Sequence, residues 1–414
     1  MGSWRRLVVV ALLGLGLAAC SGITRHPVPA DLVEEAHPLG IPGLRTWGDV
    51  VRPGELESFF ERQGARLRAR FAADFAAGRT PVLHYLALSG GGSDGAFGAG
   101  ILNAWTAAGT RPEFFGVSGV STGALIAPFA FLGSDYDHVV RDLYTTLDTA
   151  DLVTLEVVSG LLSGMALSST AGLARQIERY VTPELLARIA AEHRRGRVLL
   201  MGTTNLDAGR PMIWDMGAIA ASGHPGAPAL FRTVMRASAA VPVAFPPMLI
   251  PVETADGRRY DEMHVDGGAS SQVMLVSPQV PIAAMTRRYV GHELDRRLWI
   301  IVNNNVIGRY DPVQPRIFPI ATHALSSLIR GSATGDLYKL YLIAQRDRMR
   351  YQATWIPERM PCVSNQQFDP VYMRCLLDFA EREFAGGRIW SDVPPYFAQV
   401  PEPALAAAPP RVRR

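Results

Sequence analysis

Gly119-Val120-Ser121-Thr122-Gly123 is the stretch of this chain most suited to covalent chemistry. An apolar run, Phe114 to Val117, stops at a corner of small residues, and a helix-friendly run, Ala124-Leu125-Ile126, follows. A serine between two such runs reads as a nucleophile elbow, with the hydroxyl exposed on a sharp strand-to-helix turn. Gly119 and Gly123 leave room for that turn, since a side chain there would meet the neighbouring strand or helix. The helix that starts after Ser121 points its positive end at the hydroxyl, where negative charge develops during acyl transfer. A plain Gly/Ser loop between a core strand and a core helix would look the same in isolation.

A second constellation lies upstream. Val82 to Leu88 is an almost continuous apolar strand, as expected in a sheet buried on both faces. It runs into Ser89-Gly90-Gly91-Gly92-Ser93-Asp94-Gly95, and an apolar helix begins near Ile101. Adjacent glycines between strand and helix leave backbone N–H groups uncovered and make an anion cradle. As G-x-G-x-x-G (Gly90, Gly92, Gly95), the loop could hold a pyrophosphate; as an oxyanion hole, it could hold a tetrahedral ester intermediate. The dinucleotide reading needs an acid at the end of a second strand. Glu113 has about the right spacing but precedes the next strand, which disfavours that reading.

The third constellation is Met263-His264-Val265-Asp266-Gly267-Gly268, a short strand that delivers an aspartate into a glycine corner. Asp266 is either an ordinary turn aspartate or the base partner of Ser121.

The elements that must position these groups follow from the hydrophobic pattern. Strand, glycine loop, helix, strand, serine elbow and helix occur in that order, and parallel pairing would bring the glycine amides and Ser121 to one sheet edge. Further strands are expected at Arg197 to Thr204, Pro211 to Met216 and Arg297 to Asn304, with an edge strand at Ala353 to Ile356. Leu56 to Phe75, 137–147, 170–194, Leu230 to Ser238 and Phe318 to Arg350 read as helical. Leu152 to Leu167 is apolar and broken by glycines, compatible with a lid, an acyl-chain wall or ordinary core.

The 414 residues are 48% hydrophobic, ample for a sizeable core. Net charge is only +3, and the scattered basic residues give no nucleic-acid footprint. At the N-terminus, Arg5-Arg6 precede an apolar stretch, Leu7 to Leu17, too short to span a membrane comfortably. Leu17-Ala18-Ala19-Cys20 then resembles a bacterial lipoprotein signal, which implies lipidation at Cys20 and a mature chain of residues 20–414. With Ser21 next, the resemblance implies the outer membrane, with the protein facing the periplasm. In an oxidising compartment Cys362 and Cys375 can pair across a loop of about 14 residues, or remain two buried thiols. No spacing of Cys and His fits a metal site.

Taken in order, Gly90-Gly91-Gly92-Ser93-Asp94-Gly95, Gly119-Val120-Ser121-Thr122-Gly123 and Asp266-Gly267-Gly268 resemble the patatin-like phospholipases. Arg236-Ala237-Ser238-Ala239-Ala240-Val241-Pro242, leading into Phe245-Pro246-Pro247, adds to the likeness. The resemblance implies a three-layer α/β/α fold with a mostly parallel central sheet and a Ser–Asp dyad of Ser121 and Asp266. It implies an oxyanion hole from the amides of Gly90, Gly91 and Gly92, and no metal or cofactor. The substrates implied are lipid or phospholipid esters. The expected organisation is a signal peptide (1–19), an N-terminal tether and helical extension (20–80), the catalytic core (81–305), a C-terminal helical extension (306–401) and a disordered tail (402–414). Asp94 departs from the family, which commonly has a basic residue there; an acid facing the cradle would oppose a phosphate headgroup, whereas an acid capping the next helix would not.

Two other readings compete. An α/β-hydrolase triad would need a histidine after the acid, and His292 and His323 are available. A non-catalytic lipid-binding envelope protein could keep the same motifs without turnover.

Overall fold

The computed structural model describes residues 25–397, except 147–153, 156–167 and the single positions 243, 309, 311, 365, 367 and 388. Residues 1–24 with the expected signal and Cys20, most of the Leu152 to Leu167 stretch and residues 398–414 lie outside the described residues.

Ten strands form one sheet. In chain order they are β1 (His37–Pro38), β2 (Arg45–Trp47), β3 (Val82–Leu88), β4 (Gly116–Val120), β7 (Val198–Asn205), β8 (Arg210–Asp215), β9 (Met248–Glu253), β10 (Arg259–Asp266), β11 (Asp295–Val302) and β12 (Met349–Trp355). A separate two-stranded hairpin supplies β5 (Thr154–Leu155) and β6 (Ser168–Ser169). The centre, β7-β4-β3-β11-β12, is parallel throughout. Beyond β7 the sheet continues antiparallel through β8 and through the β9–β10 hairpin.

The central strands are apolar almost without interruption because both of their faces are covered. Along β3, Leu83, Tyr85 and Ala87 enter one core, whereas Leu86 and Leu88 enter the other. One layer contains the helices Gly95–Ala107, Thr122–Leu132, Ala227–Ser238 and Pro370–Ala385. The opposite layer contains Pro53–Arg70, Ile282–Val290 and the C-terminal half of Ile317–Arg346. The fold is therefore three-layered α/β/α.

Residues assigned to a tether and to an extension take part in this sheet. Proline in the early segment forbids helix there, but two short strands form: β1 pairs with β9, β2 with β8, and Trp47 is buried. At the other end, β12 extends the sheet beyond β11, so the C-terminal region is not purely helical. A disulfide joins Cys362 to Cys375, with Cα atoms 5.9 Å apart.

One buried polar network ties the first strands to the last antiparallel one. Arg45 on β2 forms an ion pair with Glu262 on β10, and both side chains are almost fully covered. Glu262 accepts from His264 Nε2 at 3.0 Å, His264 Nδ1 accepts from Thr203 Oγ1 at 2.9 Å, and Trp214 Nε1 donates to the same hydroxyl at 2.8 Å. Burial lowers the His264 pKa, so the ring is neutral and carries its proton on Nε2. The Arg45 guanidinium outweighs burial at Glu262 and holds its carboxyl at about 2. Removing one partner of such a pair strands the other charge. Arg45→Met is expected to destabilise the protein by about 3 kcal/mol, read as a lowered denaturant midpoint at pH 7; an unchanged midpoint would mean that Glu262 finds water or another cation.

Candidate active site

The sheet itself brings the serine and the aspartate together. β8 covers one edge of β7 over Leu200–Asn205. Along the other edge, β4 pairs parallel up to Val120 opposite Gly202, and β10 pairs antiparallel down to Asp266 opposite Thr203. Two strands thus meet head-on on one edge of β7, each with its C-terminal end at the junction. The next residue after β4 is Ser121, and the last residue of β10 is Asp266.

Ser121 turns the chain from β4 into the helix Thr122–Leu132. It has φ 54° and ψ −124°, a conformation that costs a non-glycine residue about 1–3 kcal/mol. Ser238 holds it there: the Ser121 amide donates to Ser238 Oγ at 3.0 Å, and that hydroxyl donates to the Gly202 carbonyl at 2.7 Å. The elbow glycines are required by close approach. A Cβ on Gly119 would lie 2.3 Å from the Gly123 carbonyl oxygen, and one on Gly123 would lie 2.4 Å from that of Leu88.

Asp266 is buried. Its Oδ1 accepts the Gly268 amide at 2.7 Å, and its backbone is fixed by the Ala240 carbonyl and the Thr204 hydroxyl. Oδ2 is enclosed and lacks a hydrogen bond of normal geometry. Burial pushes the carboxyl up to about 6, with Ser121 and the Gly268 amide pulling the other way. The Ser121 contact is thus longer or more oblique than a normal hydrogen bond. Gly267 packs on the Gly202 carbonyl and Gly268 on Gln272, so the corner after Asp266 also excludes side chains.

The glycine loop lies against this pair. A Cβ on Gly90 would be 3.1 Å from that of Ser121. Its amide, however, donates to the Gln272 carbonyl at 3.0 Å, so Gly90 is not an oxyanion donor as the motif suggested. The amides of Gly91 and Gly92 donate to no group among the described residues. Gly91 has φ 154°, and a Cβ there would collide with the Asn303 carbonyl. Gly95 abuts Thr122 and Tyr144, whose hydroxyls hydrogen-bond to each other.

Side chains without a motif of their own brace the loop. Asn303 Nδ2 donates to the Ser89 carbonyl at 3.0 Å, and its Oδ1 accepts the Gly98 amide at 3.0 Å. Asn304 Nδ2 donates to the Gly90 carbonyl at 2.9 Å. Asp336 accepts the Gln272 amide at 2.6 Å. The run Asn303-Asn304-Asn305 directly after a core strand was the available sequence signal for this bracing.

A pocket opens beside Ser121 and Gly92. Leu125, Phe129, Leu173, Ile177, Met235 and Phe245 give it a mainly apolar wall suited to an acyl chain. Phe368, from the disulfide-bounded loop, completes it at φ 53°. A larger cavity of about 430 Å³ lies beneath the helix Pro53–Arg70, on the other face of the sheet, and does not reach Ser121. No histidine lines the Ser121 pocket or bonds Asp266 among the described residues; His292 stacks on Phe75 with ring centroids 4.0 Å apart.

Residues 86–278 match the family model of the patatin-like phospholipases. This stretch is a patatin-like phospholipase domain. The family so described acts on lipid esters, and the match supports a lipid ester hydrolase. Two solved structures are similar: VipD from Legionella pneumophila (14% identity, 73% of this chain and 67% of that one, TM-score 0.36) and human GIVD cytosolic phospholipase A2 (12% identity, 63% of this chain and 48% of that one, TM-score 0.31). No curated protein sequence matches the chain.

Asp94, the departure from the patatin-like pattern, occupies the N-cap position of the helix Gly95–Ala107 but makes no capping bond. Its Oδ1 instead accepts from the Tyr372 hydroxyl at 2.6 Å, and burial raises its carboxyl to about 6. Capping fails because Asp94 already has helical backbone angles (φ −70°, ψ −8°) at the end of a 3-10 turn, where a capping residue would be extended.

Two outcomes follow from this geometry. Ser238→Ala removes the clasp on the Ser121 amide and is expected to lower kcat about ten-fold while destabilising the fold by about 1–2 kcal/mol; full kcat would make the clasp dispensable. Because the folded Asp266 carboxyl binds its proton more tightly than the unfolded one, its ionisation opposes folding increasingly from pH 4 to above pH 6. Asp266→Asn should therefore raise stability at pH 8 by about 2–3 kcal/mol, and the gain should vanish below pH 4. Thermal melts across that range check the sign.

Proposed function

We propose that the chain hydrolyses carboxylic esters of lipids through an acyl-enzyme on Ser121, with Asp266 as the only base. The observation that carries this reading is the head-on meeting of β4 and β10, which sets a strained serine against a buried carboxylate with an unsatisfied oxygen. A carboxylate in water is a poor base for a hydroxyl. A buried one with its pKa raised to about 6 is a better match to neutral pH.

Ser121 Oγ attacks the ester carbonyl carbon as Asp266 Oδ2 takes the hydroxyl proton. The oxyanion forms against the Gly91 and Gly92 amides, with the N-terminus of the helix Thr122–Leu132 adding its dipole. One such donor is worth about 3 kcal/mol. The intermediate collapses, the C–O bond to the alcohol breaks, and Asp266 returns its proton to the leaving oxygen. A water then gives its proton to Asp266 and attacks the acyl carbon; the C–Oγ bond breaks, Asp266 returns the proton to Ser121 Oγ, and the fatty acid leaves. The apolar pocket takes the acyl chain. Asp94, mostly ionised at neutral pH beside the glycine loop, favours neutral or zwitterionic esters over those with a free phosphate close to the scissile bond. Leu17-Ala18-Ala19-Cys20 supports a lipid anchor at Cys20 that keeps the domain on the outer membrane, facing the periplasm.

Labelling with a serine-directed fluorophosphonate tests the dyad without a guess about substrate. Wild type should label and Ser121→Ala should not. Asp266→Asn should label at least a hundred-fold more slowly and lose ester turnover while remaining folded. Wild-type kcat/KM should fall below pH 6, about ten-fold per unit, as Asp266 takes up its proton. Full activity in Asp266→Asn would sink the reading.

A further inference from the structure

The helix Ile317–Arg346 is much longer than the strands it connects. β11 and β12 have eight and seven residues, about 25 Å each, whereas thirty helical residues span about 45 Å. The two strands are parallel and consecutive around this helix, so the helix runs against them. Its N-terminal end therefore lies at the C-terminal edge of the sheet, where β4 delivers Ser121. Its C-terminal half is docked: Leu337, Leu340, Ile343 and Ala344 are buried in the core. Asp336 holds the Gln272 loop beside the glycine motif. The first four turns, 317–332, extend past the site, an overhang of about 20 Å.

That overhang has the wrong composition for a water-facing helix. Ile317 is 83% exposed, Ile320 53%, Leu325 51% and Leu328 70%, and Tyr310 just before it is 91% exposed. Between Pro312 and Gly335 the only charged residues are Arg316 and Arg330, one at each end of the apolar stretch, and no acid is present. Single exposed leucines are ordinary, but a contiguous apolar patch is not. No helix among the described residues is long and apolar enough to cross a membrane. An apolar segment of four turns with arginine at both ends suits the headgroup boundary: side chains enter the acyl layer, and the guanidinium groups meet phosphates.

We propose that residues 317–332 form an interfacial helix that seats the active-site edge on a lipid surface bearing anionic headgroups. The inference rests on the lipid-hydrolase reading for its purpose. It adds a docking element, separate from any N-terminal anchor, that sets which edge of the sheet faces the lipid. Two arginines and no acids fit an anionic surface; a second copy of the chain would bring the same charges against each other.

The test uses the full chain with Ser121→Ala, so that vesicles stay intact, and Leu325→Trp as a reporter. The vesicles contain one part phosphatidylglycerol to three parts brominated phosphatidylcholine. The added tryptophan emission should shift to the blue and be quenched at least two-fold more than that of the parent chain. No extra quenching would overturn the proposal. A blue shift that depends on protein concentration in the absence of vesicles would overturn it in favour of a second copy. In the active chain, Ile317→Asp, Ile320→Asp, Leu325→Asp and Leu328→Asp combined should lower hydrolysis of vesicle esters at least ten-fold and leave a water-soluble short-chain ester unaffected. Equal loss on both substrates would mark the segment as structural and defeat the proposal. Quenching in a chain inactive on every ester would uphold the docking helix and refute the hydrolase reading instead.

Discussion

Everything in this site depends on one constraint: β4 and β10 share a single edge of β7 and run into each other there. Neither strand can lengthen without driving its end into the other. Ser121 must therefore leave the sheet abruptly, which is why it takes a left-handed backbone conformation. Asp266 must stop in a glycine corner for the same reason, and its carboxylate is enclosed where a longer strand would have been. The strain on one residue and the poor solvation of the other have a common origin in the sheet. Both are offset elsewhere, in the Ser238 clasp and the buried Arg45–Glu262–His264 network that anchors β10.

The glycine loop obeys a second, steric rule. It must approach Ser121 closely while keeping two amides uncommitted. Gly90 makes the approach and commits its amide to Gln272; Gly91 and Gly92 keep theirs. Asn303, Asn304 and, through Gln272, Asp336 hold this division of labour in place. Amides held rigid before a substrate arrives need no reorganisation as charge develops, which is how an oxyanion hole gains its effect.

Much of this was legible in the sequence. Val82 to Leu88 is continuous and apolar, and that strand appears with those bounds, because burial on both faces leaves little else to encode. The three-layer fold was what the resemblance to the patatin-like phospholipases implied. The elbow strand was placed two residues early because Phe114 and Phe115 are as apolar as a strand but serve as its approach. The β9–β10 hairpin was largely missed. Its polar, half-covered faces and the prolines before it do not carry the signal of a buried strand. The short β1 and β2 were hidden by prolines that forbid helix but not an edge strand. The commitment of the Gly90 amide and the Tyr372 partner of Asp94 could not be read at all, since each depends on a residue more than 180 positions away.

The distance along the chain has its own consequence. Ser121 meets Asp266 145 residues later, its loop is braced from beyond residue 300, and Phe368 closes its pocket later still. Contacts this non-local form late in folding, because each requires a long loop to close first. A chain still being made, or one only partly folded, holds a serine with no aspartate against it, no fixed glycine amides beside it and an open pocket. Latency before completion is thus inherent in the wiring of the fold: the site is assembled only when the whole domain has closed.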